Sequence, residues 1–443
     1  MGTGFSPLDE ELELLPGSLT PNLVEGLARL GAWMPFHQAA KLLGDFWRVP
    51  VSERTARRRT EAVGAGYVAV QTAEVEALER EQPACPAGPA VQQLSVDGAF
   101  VPLVGGAWAE VKLLTLGTVG PPVWEDDEWR VHASELSYFG RMTDHENFGR
   151  LALGELHRRG PERAGRVVAV MDGAEWQQGF IDLHRADATR ILDFPHAAEY
   201  VAKIGQLVLG ADSATMAEWL PRQLHDLKHG QEAAVLRVLT DLRDQAVLRG
   251  NGEVIKEVGT RLAYLDKRRE QLRYGDFRAA GYPIGSGAVE SGNKLVTEAR
   301  LKGAGMHWAP VHVNPLVALR TAVCADRWEE CWAASSTRLR EQAHERARAR
   351  RVERQQQRQA ARAPAAVAPT PSSTAAGLAS ALPTVAPGTP TAPLGPAEVG
   401  PAPSPASPTA RTQRAPRQPH RPAANHPWRR RAVRTRPATA LAS

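Results

Sequence analysis

RVVAVMDGAEW, residues 166–176, decides the fold, because its apolar side chains from Val167 to Met171 run without polar interruption into Asp172 and Gly173. A strand with one wet face alternates apolar and polar residues. An unbroken β-branched run is what a strand covered on both faces requires, so this segment predicts an interior strand of a layered α/β domain. Upstream, TDHENFGRLALGELHRRGP (143–161) reads as a helix. Thr143 and Glu146 have capping-box spacing, Phe148, Leu151 and Leu156 share a face, and Gly160 and Pro161 stop it. Before it, QQLSVDGAFVPL (92–103), AEVKLLTLGTV (109–119) and RVHASELSYFG (130–140) read as three strands of a meander. Downstream, ATRILDFPHAAEY (188–200) is a fifth strand passing into a helix.

Three strands, a helix and two buried strands let the first and fourth strands lie side by side. That adjacency would bring Asp97 next to Asp172. Residues 197–280 are charged and Leu-rich at helical spacing with no strand signal, which predicts an all-α insertion. GYPIGSGAVESGNK (281–294) then breaks the pattern and starts a helix with Glu290 in its first turn. Gly292 and Asn293 lower helix propensity just beyond that acid. The predicted α/β domain, with this insertion, spans residues 90–335.

Residues 1–70 predict a separate N-terminal helical region. PFHQAAKLLGDFW (35–47) places Phe36, Ala39, Ala40, Leu43, Phe46 and Trp47 on one face. A second, short helix follows Ser52, a good N-cap, carries Arg54, Arg57, Arg58 and Arg59, and is expected to stop at Gly64 and Gly66. The pair fits a helix-turn-helix whose second helix enters a major groove, and equally a plain helical hairpin with a solvated basic face.

The 443 residues are 43% hydrophobic, enough for a sizeable core. No apolar run reaches the roughly 18 residues that a membrane span needs, and no basic, apolar leader is seen, which predicts a cytoplasmic protein with no membrane partner. Cys85, Cys324 and Cys331 form no CxxC pair, excluding a zinc ribbon and a disulfide framework. The net charge of +5 is concentrated in ERTARRRT (53–60) and in the last hundred or so residues. Residues 363–443, rich in Pro, Ala and Arg, bury too little to offset ordering entropy and predict a disordered tail.

Asp97 and Asp172 each end an apolar run and precede glycine. Singly, an Asp-Gly dipeptide is usually a turn, and a first-turn glutamate such as Glu290 usually serves the helix dipole. Together they fit phosphodiester chemistry, in which two divalent cations about 3.5–4 Å apart activate the nucleophile and neutralise the phosphate. Mg²⁺ or Mn²⁺ would be held by carboxylate oxygens. Lys294, one turn beyond Glu290, can pair with a carboxylate or touch a phosphate.

The segments VDGAFV, WAEVKLLTLG, VMDGAEW, ILDFPHAAEYV, GYPIGSGAVESGNK and RLKGAGMHW, in that order, resemble bacterial DDE transposases of the ISKra insertion-sequence group, within the wider set that includes Mutator-like enzymes. The resemblance implies an RNase H-like catalytic domain with a helical insertion and a catalytic, metal-binding triad of Asp97, Asp172 and Glu290. It also implies an accessory D-x-x-H element at Asp193 and His196, and a DNA-stacking role for Trp308. Double-stranded DNA is the implied partner, as transposon inverted repeats and as target, bound by a homo-oligomer assembled on DNA. Alternatives are a transposase-derived DNA-binding protein without catalysis and, far behind, a metal-independent carboxylate-pair hydrolase.

Overall fold

The computed structural model describes residues 19–362, so the expected tail over 363–443 lies outside the described residues. The chain divides into two units at Arg346: the sheet and the helices around it lie in the first, while the end of the last helix, 347–362, belongs to the second.

The strands are β1 (Val91–Pro102), β2 (Trp108–Val119), β3 (Val123–Glu125), β4 (Glu128–Arg130), β5 (Ala133–Arg141), β6 (Arg166–Met171) and β7 (Thr189–Leu192). Five form one mixed sheet in the order β5-β2-β1-β6-β7, and β3 pairs with β4 as a small hairpin. β1 runs antiparallel to β2 and parallel to β6. The strands predicted first and fourth are therefore neighbours. The β3-β4 hairpin was not expected; its strands are too short for a period-2 pattern to register.

β6 shows why its sequence is unbroken. Val167, Ala169 and Met171 pack into one apolar cluster with Phe148, Leu156, Phe180 and Ile181, from the helices His145–Leu151, Leu153–Arg159 and Glu175–His184. Val168 and Val170 pack into another with Val201, Ile204, Leu239 and Leu265 of the helical insertion. Alternate side chains thus enter different cores, and both faces need apolar residues. The insertion follows β7 directly as helices Phe194–Leu209, Ala214–Lys228, Glu232–Arg249 and Gly252–Lys267.

A third cluster joins Val24, Leu27, Ala28, Phe36 and Leu43 to Val101, Leu113, Leu316 and Trp308. The N-terminal helices Pro21–Trp33 and Phe36–Trp47 thus share a core with the sheet. Phe46 and Trp47, expected on the buried face, are 74% and 52% exposed and meet each other edge to face at the helix end.

The next helix is the clearest departure from expectation. Ser52 caps it as anticipated, accepting from Thr55 N at 3.2 Å, but the helix runs from Glu53 to Glu81 and does not stop at Gly64 and Gly66. Gly64 instead serves close packing. A Cβ on Gly64 would stand 2.3 Å from the Pro315 carbonyl oxygen of helix Pro310–Cys324. A smaller shift concerns helix His145–Leu151, whose N-cap is Asp144, accepting from Asn147 N at 2.8 Å, in place of Thr143. Among the described residues no helix is long and apolar enough to cross a membrane.

Gly64→Ala forces Pro315 away and is expected to lower stability by about 1–3 kcal/mol in thermal denaturation. Gly44→Ala, in helix Phe36–Trp47 with open space around the added carbon, should instead raise it by roughly 0.5–1 kcal/mol.

Candidate active site

The register of β1 on β6 places Leu94 opposite Ala169, and no pairing is made beyond that point. Asp97 and Asp172, each three residues further on, thus stand at matching positions where the two strands part. Asp97 lies within β1 rather than at its end, because β1 continues against β2, with Asp97 opposite Leu113. By strand alternation Asp97 shares a face with Val101, and Asp172 continues that of Val170. Both therefore point to the side where the N-terminal core and the insertion core meet.

Asp97, Asp172, Asp193, His196, Ser286 and Glu290 line one cleft of about 240 Å³. Gly98 N donates to Asp97 Oδ1 at 2.7 Å and Asn293 Nδ2 to Asp97 Oδ2 at 2.8 Å. Ala174 N donates to Asp172 Oδ1 at 3.0 Å. The Ser286 hydroxyl holds Glu290 Oε1 at 2.7 Å. Asp193 ties two segments together: Oδ2 caps the helix at His196 N, 2.9 Å, and Oδ1 accepts from Ser286 N at 2.6 Å. It thereby fixes the loop leading into the short helix Gly287–Gly292 that presents Glu290.

Burial chiefly pushes the Asp97 carboxyl up to about 6; the Gly98 amide and Asn293 oppose the shift, and the charges of Asp172 and Glu290 add to it. Asp193 is likewise raised by burial, against the amides of Ser286 and His196.

Gly292 and Asn293, the residues of poor helix propensity, are required where they stand. A Cβ on Gly292 would meet Leu113, Thr115 and Tyr138 at 3.0 Å, so its absence lets the helix approach β2 and β5. The chain then widens into a π-helix over Asn293–Glu298, which delivers Asn293 to Asp97. Sequence reasoning noted Asn293 for its low helix propensity just beyond Glu290 and did not assign it to the site. Nothing in the sequence links it to Asp97, its partner within β1. Asn293 Oδ1 is buried without a hydrogen-bond partner.

The donor set suits hard divalent cations, because Asp97, Asp172 and Glu290 line one cleft and carboxylate oxygens are the ligands such ions prefer. Among the described residues no three His, Cys, Asp or Glu side chains form a ready-made cage.

Lys294 is exposed beside the cleft helix, as are Arg54, Arg57 and Arg58 on helix Glu53–Glu81. Arg59 is half-buried, and burial, with the neighbouring Arg58 charge, lowers the pKa of its guanidinium. Trp308 requires a correction. It is 8% exposed, donates Nε1–H to Leu301 O at 2.9 Å and meets Phe36 edge to face. It is a core residue with no face free to stack on a base. Trp176 packs against Phe148 with Lys112 over its ring. No family model and no curated protein matches the sequence.

Because the folded state holds the Asp97 proton more tightly than the usual 3.8 of the unfolded chain, stability is lost as pH rises from about 4 through about 6 and stays lost above. Asp97→Asn avoids that loss, and Asn293 can reverse its amide to accept from it. Without added metal, the variant should be more stable than the parent by up to about 3 kcal/mol above pH 6.5. That gain should vanish toward pH 4 in paired thermal melts.

Proposed function

We propose that this chain is a DDE-type transposase that cleaves DNA at transposon ends and joins them to target DNA. The observation that carries the reading is the convergence of Asp97, Asp172 and Glu290 in one cleft where β1 and β6 part. The mixed five-stranded sheet, its order β5-β2-β1-β6-β7, and a helical insertion before the third acid are compatible with an RNase H-like catalytic domain.

Two Mg²⁺ or Mn²⁺ ions bound by the three acids would supply the activation of the attacking oxygen and the neutralisation of phosphate charge. Asp97 and Asp172 offer carboxylates on opposing strands, so a phosphate entering the cleft meets them from one side. Asn293 orients Asp97 through its amide, and Ser286 restrains Glu290. In the first step water attacks a phosphodiester, its P–O3′ bond breaks, and a free 3′-hydroxyl remains. That hydroxyl then attacks a target phosphodiester in the same way. No covalent enzyme intermediate is needed, so Ser286 and Ser291 carry no nucleophilic role.

Exposed Lys294 stands one turn from Glu290, within the span of a phosphate contact. Helices Phe36–Trp47 and Glu53–Glu81 serve as a helix-turn-helix reading the terminal inverted repeats, with Arg54, Arg57, Arg58 and the exposed part of Arg59 meeting the DNA. The working form is a homo-oligomer on DNA in the nucleoid.

Asp97→Ala, Asp172→Ala and Glu290→Ala should each abolish Mg²⁺-dependent nicking of a duplex ending in the element's inverted repeat, while band shifts with that duplex remain. Band shifts without cleavage by the parent chain would leave a DNA-binding protein in place of an enzyme. Replacing Arg57 and Arg58 with Ala should weaken binding to all sequences and flatten the salt dependence by about one unit for each phosphate no longer neutralised.

A further inference from the structure

Asp172 is the first residue beyond β6, where ladder pairing to β7 has ended at Met171. What holds it there comes largely from the far end of the helical insertion. The Tyr264 hydroxyl donates to the main-chain carbonyl of Asp172. Arg268 Nε donates to the carbonyl of Gly173 at 3.1 Å. Both carbonyl groups flanking the Asp172–Gly173 link are thus gripped from outside the sheet. Within the turn, Gly173 N donates to Gln177 Oε1 at 3.1 Å.

The turn and its grip are shaped to each other. Gly173 has φ +82°, and a Cβ there would stand 2.6 Å from both Arg268 Nε and the Tyr264 hydroxyl oxygen. Arg268 is 5% exposed and its guanidinium sits 3.8 Å from the Tyr264 ring centroid. Tyr264 stacks on Tyr200 of helix Phe194–Leu209, with centroids 4.4 Å apart, and the cleft residue His196 lies against Tyr200 at 5.0 Å. Burial, more than any charge, raises the Tyr264 phenol above its ordinary range, so it remains a donor.

We propose that Tyr264 and Arg268 are positioning residues that aim the Asp172 carboxylate, so that the helical insertion is part of the cation-binding machinery and not only a lid over the sheet. The proposal rests on the reading of Asp172 as a metal-binding acid. Neither side chain touches that carboxylate. By fixing the carbonyls on both sides of the Asp172–Gly173 link they set the backbone from which the carboxylate projects. Attachment of the insertion itself does not depend on the phenol. Lys267 pairs with Glu175 at 2.6 Å, and the Tyr200 stack and the packing of Tyr264 against the insertion's apolar core use only the ring.

The test uses the full chain carrying Tyr264→Phe or Arg268→Lys, with Asp172→Ala as reference and Mn²⁺ as probe. Mn²⁺ affinity is read by electron paramagnetic resonance, and cleavage of repeat-ended DNA is followed against Mn²⁺ concentration. We expect both positioning variants to bind Mn²⁺ roughly tenfold more weakly. Cleavage should need correspondingly more Mn²⁺ but reach nearly the parent rate at saturation, with melting temperature and band shifts unchanged. Weakened packing alone would lower the melting temperature and leave the Mn²⁺ dependence in place. Mn²⁺ affinity that drops in Asp172→Ala but not in the other two variants overturns the proposal alone. Affinity unchanged in Asp172→Ala overturns the catalytic reading and this proposal with it.

Discussion

Two like charges at matching positions on neighbouring strands are the constraint on which the site depends. The register that sets Leu94 against Ala169 leaves Asp97 and Asp172 side by side once the strands part. In a half-buried cleft such a pair repels, and each charge loses solvation. The protein answers with neutral donors. Gly98 and Asn293 serve Asp97, Ala174 serves Asp172, a serine hydroxyl serves Glu290, and two amides serve Asp193. Neutral donors hold carboxylates in place without cancelling their charge, so the cleft keeps its attraction for a cation. A lysine or arginine on the same oxygens would have given a more stable fold and a weaker binding site.

Close approach is the second requirement, and it is met by removing side chains. Gly292 lets the helix bearing Glu290 lie on β2, where a Cβ would meet three neighbours at 3.0 Å. Gly173 accepts a positive φ at a point that two side chains of the insertion crowd. In both places a residue that looks like a weakness in local propensity is what permits the long-range contact, and tertiary packing outweighs about 1 kcal/mol of helix preference.

The sheet was legible because its signals are local. The apolar run before Asp172 reports double burial, and the strands of the meander announce themselves by β-branched content. The N-cap at Ser52 was legible for the same reason. The length of helix Glu53–Glu81 was not, since Gly64 reads as a stop until Pro315 is known to lie against it. Trp308 shows the same limit: the stacking role that the resemblance implies does not hold, because its burial is decided by Phe36 and Arg300, brought to it by the fold. Asp97, Asp172 and Glu290 were nameable from pattern and resemblance, and the cleft brings them together. Asn293, Tyr264 and Arg268 act through the third dimension, and no spacing rule links them to the acids they serve.

The site draws on segments near residues 97, 172, 193, 264–268 and 286–293, and its members come together only when β1, β6, β7 and the insertion are all in place. Contacts of such sequence separation carry a loop-closure cost that local helices do not. The doubly covered β6 offsets that cost, because its alternate side chains anchor one core on each face and so fix the strand before the carboxylates need to meet. A slip of one residue would turn Asp172 from the cleft into the opposite apolar core, where an unpaired carboxylate is costly, so the packed run and the acid at its end together specify the register. The apolar run that marks the fold in the sequence is therefore also what keeps two repelling acids in register.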